Sequence, residues 1–420
     1  MKHIGKPPVA DHNALVLGAG VQGCLVALML ANEGRQVTLV DHAHDMLLGA
    51  SLSYEGRVHT GLLFAMDHSM DTARRLMRDA CAFGPLMEHI LGGAIPWARI
   101  ATARPRILVH RDSHMNADAL AAYWEKLEAM FLEEMQRPGA HYLGTRPDRF
   151  IWSADVPTQA RRDVILAAFD SEEACLDQPL INAEIKARVK AHPGITCRFD
   201  TRVVAVNPDG DQTRVTLHPG GSLPQIHRAP IVINCLWEAR ALFDRQMGLD
   251  ALPGESLRLK YSLLVDLDDY FERLGSVIVA HGAFGGIVVR PGSKSVFMSW
   301  YNACVDTIIP TQPLSDDWQA KCLGRIPEEE KARVLANNIA AFRDIFPNFP
   351  DAKLQAIKAG MIVAHGLRDI DKTDSGFHHR DEHPIRQAGG YFSMATGKYT
   401  SAPRNALRLQ KELARTGLLA

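Results

Sequence analysis

A glycine-rich turn near the N-terminus constrains the fold more than any other feature of the sequence. The hexapeptide GAGVQG (18–23) follows an apolar run over 14–17 and opens a segment with helical spacing over 21–33. A second apolar run over 36–40 then ends at Asp41. This order predicts a β-α-β unit in which the glycine turn joins the first strand to the helix.

The three glycines suit the binding of a pyrophosphate at the N-terminus of that helix. Gly18 permits the tight turn, Gly20 lets the backbone approach the phosphates, and Gly23 allows close packing of helix on strand. Asp41 stands where a carboxylate accepts hydrogen bonds from ribose hydroxyls, and no arginine follows it to bind a 2′-phosphate, which disfavours NADP. NAD and FAD both remain open on these residues. The candidate cofactor contacts are Gly18, Gly20, Val21, Gln22, Gly23, Asp41 and His42.

Composition narrows the possible partners and the compartment. The chain has 420 residues, 46% of them hydrophobic, which is enough for one large or two interleaved domains. Its formal net charge is −1, and it lacks the basic surface that nucleic acid requires. The 7 cysteines are odd in number and form no C-x-x-C pair, so we expect reduced thiols in the cytoplasm.

The apolar stretch over 14–31 approaches the length of a membrane span, but its glycines favour the strand–turn–helix interpretation. It also lacks the basic flank and cleavage site of a signal peptide. We therefore expect no membrane span.

Periodicity along the rest of the chain predicts a mixture of helices and strands. Helices are predicted over 67–91, with an interruption at Gly84-Pro85, and over 116–136, 177–191, 328–345 and 402–415. Strands are predicted over 201–206, 213–218, 230–235, 257–266, 276–280, 286–290, 295–301, 355–364 and 390–395.

Four separated segments resemble the D-amino-acid oxidase and glycine/sarcosine oxidase superfamily of FAD-dependent oxidoreductases. They are GASLSYEGRVHTG (49–61), TRVVAV (201–206) with VINCLWEAR (232–240), HGLRDI (365–370), and MATGKYTSAPRNA (394–406). Together with the β-α-β unit they span nearly the whole chain in the family's order.

The resemblance implies FAD and an α/β fold, in which a discontinuous Rossmann-like FAD-binding domain (1–83, 170–240 and 355–420) joins an α+β substrate domain (84–169 and 241–354) built on an antiparallel sheet. It also implies further cofactor contacts from Ser51, Arg57, Val203, Asn234, Gly397, Lys398, Tyr399 and Thr400.

The resemblance makes Arg368 the candidate for binding a substrate carboxylate, because its guanidinium matches a carboxylate in a bidentate pair. A structural salt bridge is the alternative, and Asp369 replaces the family's usual proline. Arg57 and His59 alternate along an extended stretch, so both side chains are expected on one side, facing the flavin or the substrate. The alternative is that both belong to a solvated loop. Tyr261 and Tyr301 are candidates to cover the flavin ring, although aromatic residues on strands more often only pack.

A histidine-rich loop at 378–383 invites a metal interpretation. Adjacent histidines on a polar loop lack the spacing of a zinc site, so we expect no metal.

The resulting functional prediction is an FAD-dependent oxidoreductase that oxidises the C–N bond of an amino acid or related amine, with O2 or another electron acceptor. Two alternatives remain. One is oxidation of a 2-hydroxy acid, with His59 or His365 as the base. The other is a flavin-binding subunit without turnover.

Overall fold

Three β-sheets and the helices around them form the chain in the computed structural model, which describes residues 9–11, 13–311, 313–380 and 384–419. The strands are β1 (Val9–Asp11), β2 (Ala14–Leu17), β3 (Val37–Val40), β4 (Arg106–His110), β5 (Ile151–Ala154), β6 (Ile165–Ser171), β7 (Ile195–Arg198), β8 (Thr201–Asp209), β9 (Gln212–Pro219), β10 (Gln225–Ala229), β11 (Ile231–Asn234), β12 (Glu255–Asp266), β13 (Val277–Ala280), β14 (Gly285–Val289), β15 (Ser295–Trp300), β16 (Val305–Pro310), β17 (Leu354–His365), β18 (Arg386–Ala388) and β19 (Tyr391–Ser393). The helices are α1 (Val21–Asn32), α2 (Asp71–Leu91), α3 (Trp97–Ile100), α4 (Ala117–Met135), α5 (Gln178–Ala191), α6 (Arg240–Gln246), α7 (Asp269–Leu274), α8 (Tyr301–Cys304), α9 (Asp316–Cys322), α10 (Glu328–Ile345) and α11 (Ala402–Arg415).

A six-stranded sheet with the order β18-β19-β11-β2-β3-β7 carries the glycine turn. Its strands are parallel except for the β18–β19 pair. Strands β2 and β3 are buried along their whole length, as expected when helices cover both faces of a parallel sheet. The carboxyl ends of β2, β3 and β11 therefore meet at one edge, where doubly wound folds bind their ligands.

A nine-stranded sheet forms the second layer, in the order β16-β12-β15-β14-β13-β4-β6-β5, with β17 also paired to β12. The antiparallel β12–β17 pair runs from Glu255 opposite His365 to Val265 opposite Leu354. The third sheet contains β1, β10, β9 and β8. The α/β class, with a Rossmann-like part and a second sheet that is largely antiparallel, is confirmed.

The predicted domain division stays a prediction, and two of its segments contact the other predicted part. Residues 355–365 were expected in the cofactor part, but as β17 they belong to the nine-stranded sheet because they pair with β12. Helix α4 was expected in the substrate part, yet Leu120, Trp124 and Leu127 share a hydrophobic core with α1.

Most predicted elements are confirmed, with one difference in α2. This helix is continuous across Gly84-Pro85, so the predicted interruption is wrong. Within the described residues, no helix has the length and apolar character needed to cross a membrane.

Candidate active site

The glycine turn has the geometry that its sequence predicts. Gly18 has φ +95°, and a Cβ there would lie 2.6 Å from the carbonyl oxygen of Cys235. A Cβ at Gly23 would lie 1.8 Å from the Gly18 carbonyl oxygen. At Gly20 it would meet only the Ser51 hydroxyl, at 3.5 Å. Gly18 and Gly23 are thus required by packing, whereas Gly20 keeps a space open before the α1 N-terminus.

Asp41 closes the same edge of the sheet. One carboxylate oxygen accepts from Ala19 N at 2.6 Å and the other from Ala43 N at 2.9 Å. Burial favours a higher pKa for Asp41, but hydrogen bonds from His42, Ala43 and Ala19 outweigh it and hold the pKa below its ordinary value. The same contact raises the pKa of His42. Asp41 is therefore an ionised acceptor beside the glycine turn.

The C-terminal segment lies directly against the glycine turn, as the sequence predicts. Gln22 Nε2 donates to the Ala402 carbonyl at 3.2 Å, and Asn405 Nδ2 donates to Gln22 Oε1 at 3.3 Å. Between the turn and this segment, the Ser51 hydroxyl accepts from Val21 N at 3.0 Å. The Thr400 hydroxyl is buried without a hydrogen-bond partner, which fits a segment that binds a polar ligand.

Val203 and Asn234 are two further candidate cofactor residues, and their side chains support the sheet edge that carries Asp41. Val203 packs in a hydrophobic cluster with Val40, the residue before Asp41. The Asn234 amide donates to Tyr391 Oη at 2.6 Å and to Asp244 Oδ1 at 3.1 Å. The Asn234 side chain is therefore occupied by protein contacts and fixes the turn after β11.

The loop after the first β-α-β unit brings charged side chains into the interior. Arg57 is buried with its Nε 3.7 Å from Glu55 and 3.6 Å from Glu173. Glu173 also accepts from Thr60 N at 2.8 Å. Burial raises the pKa of Glu173, while Arg57 and Thr60 oppose that effect. Arg57 is thus held in place by two carboxylates, and the solvated-loop alternative is not what the structure contains.

His59 lies in the same loop, beside Lys398. The distance from Lys398 Nζ to His59 Nε2 is 3.4 Å. Burial, together with Arg380, Arg57 and Lys260, lowers the pKa of Lys398 to about 7, against the opposing effect of Glu55. Burial, followed by the charges of Lys398 and Arg57, holds the pKa of His59 well below its ordinary value. His59 is therefore neutral near physiological pH, and Lys398 is divided between its charged and neutral forms.

Aromatic rings line the space around these cations. Lys260 Nζ lies 5.6 Å from the Tyr301 ring and 5.9 Å from the Tyr54 ring. The Arg380 guanidinium lies 4.1 Å from the Phe377 ring, and Lys398 Nζ lies 5.6 Å from the Phe64 ring. We call Lys260, Arg380 and Lys398 the cationic cluster.

A buried network fixes one wall of the cationic cluster. Tyr301 Oη donates to Asp369 Oδ1 at 2.8 Å, and the fully buried Arg258 places its Nε 3.7 Å from the same oxygen. Arg258 also donates to the carbonyl oxygens of Gly366 at 3.1 Å and Arg368 at 3.2 Å. Arg258 therefore holds the backbone of the 366–369 turn and leaves Asp369 facing Tyr301.

The structure does not bring two of the predicted site residues, Arg368 and Tyr261, to this cluster. The Arg368 side chain is 61% exposed and pairs with Asp374, which is the salt-bridge alternative. Tyr261 donates to Glu330 at 2.6 Å and points to the opposite face of β12 from Lys260, because side chains alternate along a strand. His365 is exposed and lies against Gly254 and Gly376.

The histidine-rich loop is only partly described. Asp381, Glu382 and His383 lie outside the described residues. His378 contacts the Lys372 carbonyl oxygen at 2.7 Å, and His379 lies 3.4 Å from Asp67. Among the described residues, no group of His, Cys, Asp and Glu side chains has the arrangement of a metal site.

Sequence reasoning missed Arg258, Lys260 and Arg380. The polar residues Arg258, Lys260 and Ser262 alternate with apolar ones along β12, and this pattern was the available signal for the first two. Arg380 lies in a charged loop with no periodicity, so only the fold brings it beside Phe64 and Lys398.

A glycine turn and a following acid on a parallel sheet define a dinucleotide-binding protein. The family model described as FAD dependent oxidoreductase (DAO) matches residues 13–402. The chain belongs to this family, and it is an FAD-dependent oxidoreductase.

Solved structures support the same fold at low sequence identity. Glycine oxidase from Geobacillus kaustophilus aligns with TM-score 0.64 and 14% identity, over 97% of this chain and 95% of that one. L-alpha-glycerophosphate oxidase from Mycoplasma pneumoniae, with FAD bound, aligns with TM-score 0.64 and 14% identity over 96% and 95%. L-proline dehydrogenase from P. horikoshii gives TM-score 0.59 and 13% identity over 98% and 95%. No curated protein sequence matches the chain significantly.

Proposed function

We propose that the enzyme oxidises the carbon next to the amino group of an amino acid or related amino carboxylate. The observation that carries the proposal is the cationic cluster, in which the cations Lys260 and Arg380 lie beside the titrating amine of Lys398. The interior around them is lined by Tyr54, Phe64, Tyr301 and Phe377. An interior of this charge favours a small anion, and its aromatic walls exclude water from the reacting carbon.

The cofactor site follows from the glycine turn and its neighbours. Gly20 and the α1 N-terminus would hold the pyrophosphate of FAD, and Asp41 its ribose. The Thr400 hydroxyl and the Gly397–Tyr399 backbone would hold the ring-bearing part, since they belong to the segment that Gln22 of the turn contacts at Ala402. Bound FAD supplies a hydride acceptor.

The protein's own contribution is to orient the substrate and to accept a proton. Lys260 and Arg380 would bind the carboxylate between Tyr301 and Phe377. An amine is protonated in water and must lose that proton before its carbon can give up a hydride. Neutral Lys398, beside His59, is placed to accept it.

The same His59–Lys398 pair favours one alternative substrate class. A 2-hydroxy acid would need a base for its hydroxyl proton, and the pair supplies a neutral nitrogen there as well. The electron acceptor is proposed as O2 or another electron acceptor. The cysteines are unpaired, which supports the expected cytoplasmic location.

Anaerobic flavin reduction tests the proposal with matched compounds. Alanine, ethylamine and lactate share a small carbon skeleton and differ in the carboxyl and amino groups. We expect members of an amino-acid panel to bleach the flavin, and their decarboxylated counterparts to fail. Bleaching by hydroxy acids alone would favour the alternative substrate class. A yellow protein that no compound reduces would indicate a flavin-binding subunit without turnover.

A further inference from the structure

A cavity lies between the nine-stranded sheet, the loop over 52–54 and the start of helix α5. Strands β12, β15 and β17 contribute side chains to its lining, and we call it the α5 cavity. Its water-accessible volume is about 100 Å³, which is room for a small anion or for several water molecules. None of its lining residues is among the proposed cofactor contacts.

The α5 cavity has an excess of positive charge. Arg290 and Lys358 both line it, and burial, followed by the charge of Arg290, lowers the pKa of Lys358. Asp177 is the one carboxylate among the described lining residues, and it caps α5 by accepting from Leu180 N at 3.1 Å. Neither cation forms an ion pair within the part of the chain that the structure describes. The two cations therefore lack a contacting counter-charge there.

Both cations hold neighbouring backbone and keep unused donors. One Nη of Arg290 donates to the carbonyl oxygens of Glu55 at 2.7 Å and Leu176 at 3.2 Å. Its Nε is buried without a hydrogen-bond partner, and its other Nη donates to no described residue. Lys358 Nζ donates to the Leu52 carbonyl oxygen at 3.3 Å, which uses one of its three protons. Unused donors beside a cavity are ordinarily satisfied by water or by a ligand.

The α5 cavity and the cationic cluster are neighbours on one face of the sheet. Ser262 of β12 lines the cavity and is the register partner of Lys358 on β17. Lys260 lies two positions before Ser262, so its side chain is on the same face. Tyr54 also lines the cavity, and its ring lies 5.9 Å from Lys260 Nζ. Tyr54 therefore belongs to both places.

We infer that the α5 cavity binds a small oxyanion, a carboxylate or a phosphate, between Arg290 and Lys358. A guanidinium donates paired hydrogen bonds to two oxygens of such a group, and an ammonium adds a point charge. This position is separate from the proposed substrate position, so the inference goes beyond the proposed function. A bound anion would act on the 52–55 backbone that the two cations hold, close to Arg57.

Calorimetric titration of the FAD-loaded enzyme tests the inference without turnover. The probes are inorganic phosphate and acetate, at an ionic strength kept constant with chloride. Bound FAD fills the proposed pyrophosphate site, so the probes report on other anion sites. We expect at least one probe to bind, and the tighter of the two identifies the anion as a phosphate or a carboxylate. Binding of neither probe would overturn the inference.

Substitutions locate the bound anion. Arg290→Gln and Lys358→Met should each weaken binding by about tenfold or more, because each removes a charge-assisted hydrogen bond. Lys358→Met removes a half-buried charge and should fold even if Arg290→Gln, which leaves two carbonyl groups without their donor, does not. Lys294→Gln is the matched control, because Lys294 is exposed between Ser293 and Ser295 and does not line the cavity. Its affinity should change by less than about twofold.

Arg380→Gln distinguishes the α5 cavity from the cationic cluster. Binding lost in Arg380→Gln and unchanged in Lys358→Met would place the anion in the cluster and overturn the inference. The proposed function is tested separately by flavin reduction. If amino acids reduce the flavin and no probe binds through Lys358, the further inference is wrong and the proposed function stands. If a probe binds through Lys358 and no amino acid reduces the flavin, the anion site stands and the proposed function is wrong.

Discussion

Lys398 Nζ lies 3.4 Å from His59 Nε2, and this contact joins the C-terminal segment to the loop that follows the first β-α-β unit. The two nitrogens share an interior with Arg57, Lys260 and Arg380, so adding a proton to either is unfavourable. The two residues come from distant parts of the chain, so the protonation of the site depends on these parts folding together.

The rate of flavin reduction should depend on the protonation of Lys398. Its pKa is lowered to about 7, so the free base dominates above that pH and is lost below it. We expect the reduction rate to fall about tenfold per pH unit below 7 and to level off above it. Lys398→Met should be slow at every pH, and the exposed control Lys411→Met should keep the profile. The same pH profile in Lys398→Met would assign it to another group.

The free energy of unfolding should also depend on the protonation of Lys398, and its lowered pKa fixes the direction of that dependence. In the unfolded chain Lys398 keeps an ordinary pKa, so between about 7 and 10.4 the unfolded state binds the additional proton. The free energy of unfolding then rises with pH across this window, and below 7 the cost of the buried charge is complete. Lys398→Met should raise Tm at pH 6 and flatten this dependence. Thermal unfolding of the flavin-free protein between pH 6 and 9 measures Tm and its pH dependence. If Lys398→Met leaves that pH dependence unchanged, the lowered pKa of Lys398 is contradicted.

Two arginines near the end of the chain should respond in opposite ways. Arg380 packs on Phe377 beside the site, whereas Arg368 is 61% exposed and pairs with an equally exposed Asp374. Arg380→Ala should raise KM by about tenfold or more, because a charge-assisted contact to the substrate is lost. Arg368→Ala should change KM less than about twofold and leave stability nearly unchanged. Steady-state kinetics of the two variants measure both KM values. A large rise in KM for Arg368→Ala and none for Arg380→Ala would restore Arg368 as the substrate anchor.

Two glycines of the turn should fail for different reasons when changed to alanine. A Cβ at Gly23 collides with the Gly18 carbonyl oxygen at 1.8 Å, so Gly23→Ala should lower Tm or prevent folding. A Cβ at Gly20 meets only Ser51 at 3.5 Å, so Gly20→Ala should fold and yet lose FAD, because the methyl group enters the phosphate space. Circular dichroism reports folding, and the 450 nm absorbance reports flavin. A Gly20→Ala protein with full flavin would contradict the placement of the pyrophosphate.

Asp41 should govern flavin retention more than its acidic neighbour does. Asp41→Ala removes an ionised acceptor for the ribose and also the support of Ala19 N, so the flavin content after gel filtration should fall by about tenfold. Asp45→Asn is the control, because the Asp45 carboxylate pairs with Lys186 and not with Ala19 N of the turn. Release of NAD on denaturation, or equal loss in both variants, would refute the assignment.

The glycine turn and its two strands could be predicted because each of their determinants is local. The spacing of glycines and the position of Asp41 need no partner elsewhere in the chain to be understood. The substrate side differs. The alternation along β12 separates Lys260 from Tyr261 correctly into two faces, but only the pairing of β12 with β17 and the packing of Tyr54 show which face lines the interior.

The arginines illustrate the same limit. Arg368 follows a strand in a motif that resembles a substrate anchor, yet its side chain is exposed and pairs with Asp374 at the surface. The buried guanidinium beside Asp369 comes instead from Arg258, 111 positions earlier in the sequence than Asp369, and hydrogen bonds to backbone carbonyls hold it there. Which arginine lies beside Asp369 depends on the backbone segments that the fold brings together. The spacing of residues in the sequence does not show this.

The hydrogen bond between Gln22 and Asn405 joins residues 383 positions apart. A ribosome releases the glycine turn early and makes helix α11 near the end of translation of this stretch. Until then the face of α1 that packs on α11 is uncovered, and this apolar surface can favour aggregation of the nascent chain. Because the contacts of Gln22 with Ala402 and Asn405 complete the proposed flavin site, we expect stable flavin binding only after α11 has been made.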